Sequence, residues 1–358
     1  MYVNEFFALN SEHLAKLSKI KPEFDPFGEI VFYRTYSRLK RDGTQESWYD
    51  VVVRVINGVM SIRKDWYKKN FIAWDEAYWQ RYAYEMAVSM FKMYWLPPGR
   101  GLWAMGTQFI YERGGMALFN CGFTKLGGND RLSNDYHWMM DALMLGVGIG
   151  FEAIRDDLKI YQPIGEYDHY VLDSREGWCN ALKLTIDAYT RPNTRKPRLN
   201  YSLVRDKGQP IKGFGGLASG PEPLKRLIDQ ICILFETPGI DIVRLKTDIA
   251  NLIGCCVVAG NVRRSAELAI GGVQDQVFMD LKDYSIYPER EDYGWMSNNT
   301  AALREDSDFE CLGEVARRVV TRGEPGIANL KNFKFGRVGH PVIEEDPADG
   351  LNPLTVAA

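Results

Sequence analysis

Apolar positions recur at helical spacing over residues 46–96. Trp48, Val52, Val55, Ile56 and Val59 form one series, and Tyr82, Met86, Met90 and Met93 another, a period that predicts helices. The Met and aromatic stripe reads as core packing, because Met fills irregular gaps. A shorter amphipathic segment, Ser11 to Leu17, opens on an N-cap-like Asn10-Ser11. Residues 29–39 are rich in strand formers, and their pattern fits an extended or a helical segment equally. Leu96-Pro97-Pro98-Gly99-Arg100 ends the helical region: two prolines stop a helix and a glycine frees the backbone. Gly101 to Thr107 reads as a tight glycine-punctuated turn, and Met116 to Phe123 as a short apolar strand carrying Cys121.

From residue 135 a helical stretch runs into the glycine-rich Leu145 to Phe151. Here the helix precedes the G-x-G-x-G glycines, and no acidic partner sits at the required spacing, so a dinucleotide fold is rejected. Glycines there let the backbone pass close to a ligand or another strand. Helices are predicted from Asp173 or Ser174, a good N-cap, to about Tyr189, from about Pro223 to Phe235, and from Asp306 to Thr321. Leu252 to Gly260 reads as a buried strand, and Gly323 to Leu330 as a turn into a short strand.

Composition narrows the class. The chain has 358 residues, 46% hydrophobic and 25% charged, as in an ordinary soluble protein. A net charge of −3 gives no polycation signal, so a nucleic acid polymer is not an expected partner. No apolar run is long enough for a transmembrane helix, and the N-terminus lacks a signal-peptide pattern. Six Cys without a C-x-x-C pair make no disulfide framework and predict a reducing, cytoplasmic setting. No metal site is predicted.

The candidate chemistry lies in loops. Lys212 and the glycine-rich Gly213 to Pro221, with Gly215 and Gly216, resemble an anion-cradling loop, although no Gly-Lys-Ser/Thr closes them as a P-loop. Gly260-Asn261-Val262-Arg263-Arg264-Ser265 places two Arg beside Gly and Asn, which suits a mobile anion-contacting loop or a solvated basic turn.

Ala348 to Pro353, with Gly350-Leu351-Asn352-Pro353, resembles the finger loop of ribonucleotide reductases, most of all the adenosylcobalamin-dependent class II enzymes. The likeness extends in one order through Tyr33 to Arg38, Leu96 to Trp103, Phe119 to Phe123, Met144 to Phe151, Asp173 to Trp178, Lys212 to Pro221, Gly260 to Ala266, Trp295 to Thr300 and Gly323 to Asn329. It is strongest to the monomeric ribonucleoside-triphosphate reductase branch. It implies an α/β fold: a helical N-terminal region (1–110), then the first half of a ten-stranded α/β barrel (111–154 and 251–358), interrupted by an inserted allosteric module (155–250).

The resemblance also implies roles. Cys121 matches the first of two redox cysteines that deliver electrons to the ribose 2′ position, and Asn352 the substrate-hydroxyl asparagine. Pro98, Gly99, Arg100 and Thr107, with Ser297, Asn298 and Asn299, stand where the family binds substrate. Gly260 to Ser265 match the specificity loop. Asp173, Ser174, Arg175 and Glu176, with Lys212, Gly215 and Gly216, belong to the effector-binding module. Implied ligands are a ribonucleoside triphosphate substrate, a deoxyribonucleotide effector, adenosylcobalamin, held mostly by segments this sequence lacks, and a thioredoxin-type reductant. Leu354 occupies the position of the radical-bearing Cys, and the family's Glu two residues on has no counterpart. The chain is therefore expected to be an incomplete, inactive catalytic subunit that either pairs with a second polypeptide carrying the other half-barrel or is poorly soluble. The alternative is a truncated homologue that binds effector without catalysis.

Overall fold

In a computed structural model, residues 3–40, 42–209, 217–259 and 266–335 are described. They fall into two compact units, Met1–Asn120 and Cys121–Ala358.

The first unit is helical. It holds α1 (Ser11–Leu17), α2 (Pro26–Thr35), α3 (Trp48–Lys69), α4 (Glu76–Phe91), α5 (Gly99–Ala104) and α6 (Gln108–Arg113). Residues 29–35, ambiguous in pattern, are helical because Asp25 caps α2 and Pro26 opens it. α3 begins in a reciprocal capping box between Ser47 and Asp50. Its apolar face packs Val51, Val52, Val55, Ile56 and Met60 against Trp79, Ala83, Ala87 and Met90 of α4. The turn expected over Gly101 to Thr107 is instead largely helix: Pro98 is the N-cap of α5, and its carbonyl accepts from Gly101 N at 2.7 Å. Proline at a helix start loses no hydrogen bond, so the same residues that end one helix begin the next. The chain turns at Gly106, whose φ of +75° favours glycine and whose missing side chain lets it press against the Arg54 carbonyl.

The second unit is an α/β fold on a parallel sheet. β1 (Cys121–Leu126), α7 (Leu132–Met144) and β2 (Gly148–Ala153) come first. The strand expected over Met116 to Phe123 starts only at Cys121; Gly115–Leu118 is a 3₁₀ turn. A second parallel pair, β3 (Glu166–Tyr170) and β4 (Lys196–Asn200), encloses α8 (Arg175–Thr190) and precedes α9 (Glu222–Glu236). α10 (Ile242–Val258) leads back to β5 (Glu267–Gly272), then α11 (Gln276–Asp280), β6 (Ser297–Leu303), α12 (Leu312–Arg322) and β7 (Gly326–Asn329). The main sheet has the order β1-β2-β5-β6-β7, parallel throughout. Gly150 of β2 is close-packed: a Cβ there would lie 2.8 Å from the Phe123 ring.

The strand expected over Leu252 to Gly260 is wrong: Leu252–Val258 are the last turns of α10, which therefore runs through residue 250. Asp241 caps this helix through Val243 N and Arg244 N. The stretch from Leu252 to Val258 is an uninterrupted apolar run, and periodicity cannot tell so short a run from a buried strand.

α10 also buries polar groups, each with partners. Lys246, fully buried, donates to Leu126 O at 3.2 Å, Ile154 O at 3.1 Å and Asp156 Oδ2 at 2.7 Å. All three ammonium donors are thereby used, at the trailing ends of β1 and β2. Asp248 forms an ion pair with the buried Arg290 and accepts from Tyr293 Oη at 3.2 Å. Arg290 Nη2 donates to Asn251 Oδ1 at 3.2 Å, and Asn251 Nδ2 donates to Glu267 Oε2 at 3.0 Å. Burial raises the Glu267 carboxyl to about 8, against the smaller opposing effect of Asn251.

Two outcomes follow for stability. An acid with a raised folded pKa keeps its proton while the unfolded chain loses it, so Glu267 erodes stability as pH rises from about 4.5 to about 8. Glu267→Gln should therefore melt at a higher temperature than the parent at pH 8, with the advantage vanishing near pH 4.5; an equal difference at both pH values refutes this. Gly106→Ala should cost roughly 2 kcal/mol or more in denaturant titrations, combining backbone strain with a steric clash.

Candidate functional site

The parallel register sets one end of the main sheet as a platform. Cys121 pairs with Gly148, Ile149 with Glu267, and Glu267 with Ser297. The leading ends of β1, β2, β5 and β6 thus lie side by side. Cys121 and Ser297 are three strand spacings apart, or about 14 Å at ~4.8 Å per strand. Two groups of sequence-predicted residues therefore share one sheet edge.

Ser297 and Asn299 are buried on β6, and Asn298 between them is exposed, as strand alternation requires. Ser297 Oγ and Asn299 Oδ1 are 2.9 Å apart, a hydrogen bond donated by the hydroxyl. Asn299 N donates to Glu324 Oε2 at 3.0 Å, and Lys282 Nζ donates to Ser297 O at 2.6 Å and lies 3.3 Å from Glu324. Asn299 Nδ2 is buried without a hydrogen-bond partner. A buried amide donor left open beside a fixed hydroxyl suits a polar ligand.

Pro98, Gly99, Arg100 and Thr107 belong to the first unit. Pro98 caps α5, Gly99 and Arg100 form its first turn, and Thr107 caps α6 while its Oγ1 donates to Ala104 O at 2.7 Å. The stretch is held from α3 by Arg54, which donates to Met105 O at 2.6 Å and Leu102 O at 2.9 Å and pairs with Glu46. Gly99 packs with a would-be Cβ 3.0 Å from the Tyr36 hydroxyl, so a side chain there would crowd the ring.

A second cluster lies at the start of α8. A cavity of about 160 Å³ is lined by Asp173, Ser174, Arg175 and Trp178, by Val204 and Arg205, by Leu217 to Gly220, and by Met144, Cys256 and Val257. Ser174 caps α8, its Oγ accepting from Gly177 N at 3.0 Å, and the first helical N–H groups point toward the cap end. Gly177 is required because a Cβ would collide with the Leu172 backbone at 2.5 Å. Arg205 Nε binds Asp173 at 2.7 Å, and Arg175 reaches Asp141 and Glu176, each at 3.1 Å. Burial raises the Asp141 carboxyl and lowers the His137 imidazole nearby. The result is a helix N-terminus, two guanidiniums and one indole around a small hollow, an arrangement that suits an anion carrying a flat ring.

Of the predicted effector residues, Asp173, Ser174 and Arg175 line the cavity, while Glu176 is not in its lining and pairs with Arg175. Lys212, Gly215, Gly216, the whole of Gly260 to Ser265, and Asn352 lie outside the described residues. Trp178, Arg205 and Val204 were missed as site residues. Trp178 sits one turn after the cap, where an aromatic faces what the cap faces; Arg205 follows β4 in a loop whose only signal is its charge. Among the described residues no His, Cys, Asp and Glu group could hold a metal ion, and no helix is long and apolar enough to cross a membrane.

Residues 9–107 match the ribonucleotide reductase alpha domain, and residues 153–234 match the insertion domain of B12-dependent ribonucleotide reductase. A probable adenosylcobalamin-dependent ribonucleoside-triphosphate reductase of Dictyostelium discoideum is 39% identical over 92% of this chain and 46% of its own. An adenosylcobalamin-dependent ribonucleoside-triphosphate reductase of Euglena gracilis is 38% identical over 98% of this chain and 49% of its own. A crystal structure of a B12-dependent class II ribonucleotide reductase superposes with a TM-score of 0.73 at 26% identity, over 90% of this chain and 52% of that one. The chain spans about half the length of the curated relatives it matches. With its α/β fold, its insertion between β2 and β5 and these similarities, the chain belongs to the class II, B12-dependent ribonucleotide reductase family.

Proposed function

We propose that this chain is part of the catalytic subunit of an adenosylcobalamin-dependent ribonucleoside-triphosphate reductase, which reduces the ribose 2′ position by a thiyl-radical mechanism. The observation that carries this reading is the shared sheet edge of Cys121 and Ser297 to Asn299. In it, Cys121 is one of two redox thiols, Ser297 to Asn299, Pro98 to Arg100 and Thr107 bind substrate, Asn352 holds a ribose hydroxyl, and Gly260 to Ser265 relay specificity. The main sheet is the first half of a ten-stranded barrel, and a thioredoxin-type dithiol restores Cys121. The redox step needs a strand-borne thiol in a closed pocket, so that only substrate meets it.

Adenosylcobalamin supplies radical initiation when bound. Three clefts do not fit its broad corrin ring: the one at the start of α8 is small, and those around Asp168, Arg198 and Lys225 and around Glu310, Glu314 and Arg318 have ionic linings. No step through the cofactor is assigned to these residues.

The cavity at the start of α8 is read as the deoxyribonucleotide effector site. The α8 N-terminus with Arg175 and Arg205 faces phosphate, and Trp178 offers the base a flat wall. A second reading, effector binding without catalysis, is favoured by Leu354, whose side chain has no S–H to lose.

Three measurements test these assignments. Saturating dATP, dGTP, dCTP or dTTP should raise the melting temperature, because a ligand at 100 times its Kd stabilises a fold by about 2.7 kcal/mol. Arg175→Ala should weaken that binding by roughly tenfold or more, the loss of a charge-assisted contact; no response to any of the four sinks the effector assignment. Residues 1–358 with adenosylcobalamin, a dithiol and a ribonucleoside triphosphate should give no deoxynucleotide; turnover would show that Leu354 does not occupy the radical position.

A further inference from the structure

The main sheet has two unlike faces, and the parallel register tells them apart. Side chains alternate along each strand, and residues paired in register share a face. Gly122 of β1 and Glu267 and Gly271 of β5 lie on one face. A Cβ at Gly122 would lie 3.0 Å from the Trp138 ring of α7, Asn251 of α10 holds Glu267 at 3.0 Å, and a Cβ at Gly271 would collide with the Phe278 ring of α11. Three helices therefore cover this face. Cys121, Phe123, Gly148, Gly150, Leu268 and Asn298 lie on the other. None of these six is buried, whereas Ile149, Phe151, Glu267 and Ala269 on the covered face all are.

On the open face the residues form a step. The leading row is Cys121 on β1, Gly148 on β2 and Ala266 just ahead of β5, where Ile149 N donates to Ala266 O at 2.9 Å. These strands offer a thiol there and, beside it, nothing larger than a methyl group. The next row, about 6.6 Å further along at ~3.3 Å per residue, is Phe123, Gly150, Leu268 and Asn298. Gly150 is bare for a reason: a Cβ there would lie 2.8 Å from Phe123 Cδ2 and 3.4 Å from Cε2, so the ring leans across β2. Glycine in a strand marks such a close approach. The Phe123 ring and the Leu268 side chain thus make a low apolar wall behind the leading row. A sugar laid beside the Cys121 thiol is stopped by this wall; without it, the sugar is free to travel further along β1 and β2.

We propose that Phe123, braced on Gly150, is a specificity-determining residue that sets the depth at which a ribose stands beside Cys121. The inference deepens the reading of Cys121 as a redox thiol facing substrate, and rests on it. Depth matters because a single sugar carbon is to meet the sulfur. A sugar held between wall and thiol has no room for an added group at its 2′ oxygen, and the ring has no room to retreat, since the β2 backbone lies against it. Removing the ring lets the sugar slide inward and admits the larger group.

The test uses residues 1–358 and reads alkylation of Cys121 by N-ethylmaleimide from the mass of the peptide that carries it. ATP, GTP, CTP and UTP serve as protecting ligands, each beside its 2′-O-methyl analogue, and protection is scored against each variant's own unprotected rate. In the parent, a ribonucleotide should slow alkylation, and its analogue should need about tenfold more for the same protection, the usual cost of one misplaced methyl group. Phe123→Ala should narrow that gap to about threefold or less, whereas Phe123→Leu, which keeps an apolar wall, should retain it. A merely structural role weakens protection by both nucleotides with the gap unchanged, and that result overturns the assignment. Should Phe123→Ala fail to fold, Gly150→Ala decides, since its methyl lifts the ring: there too the gap should narrow, and an unchanged gap overturns the assignment. Protection without discrimination in the parent overturns the depth role and leaves the substrate reading standing. A reactive thiol that no ribonucleotide protects overturns the reading of Cys121, and the depth role with it. A thiol that does not react overturns both, because the face it stands on is then closed.

Discussion

The second unit depends on the burial of α10 with its polar groups satisfied. Lys246, Asp248 and Asn251 lie on a helix that is enclosed nearly all round. An unpaired buried charge would cost several kcal/mol, and breaking one partner of a buried pair typically costs about 3–5 kcal/mol. The architecture answers each group. Lys246 ties the trailing ends of β1 and β2, Asp248 meets Arg290, and Asn251 reaches Glu267. One helix thereby anchors both ends of the parallel sheet, and its last turns also form a wall of the effector-like cavity.

Much of this was legible in the chain. Ser174 as a cap, the helix after it, the strand after Gly323 and the helical series of Val52, Val55 and Ile56 all rest on local rules that tertiary packing reinforced. The end of α10 was not legible, because Leu252 to Val258 is a short unbroken apolar run that suits a buried strand as well as a helix. The helix's buried Lys246 and Asp248 carried no signal either: polar residues ordinarily mark the exterior, and only the fold supplies their partners. Pro98 misled for a different reason. Proline after a helix signals its end, but the same ring suits the start of another.

The candidate sites were legible to unequal degrees. Cys121 and Ser297 to Asn299 stand far apart in sequence, and only the parallel register brings them to one edge. The cavity at α8 was marked by its cap and charges, whereas Trp178, Arg205 and Val204 joined it through packing. Resemblance to the family supplied roles that spacing alone does not.

β2 has its sheet partner β5 on the far side of the insertion, so the middle of the main sheet is assembled from strands remote in sequence. Bringing such strands together from a disordered chain carries a loop-closure entropy that grows with the intervening length, and folding slows accordingly. A compact insertion shortens that effective loop. The module that holds the cavity at the start of α8 thus also lowers the entropic cost of assembly, because a compact insertion brings the ends of β2 and β5 within reach of each other.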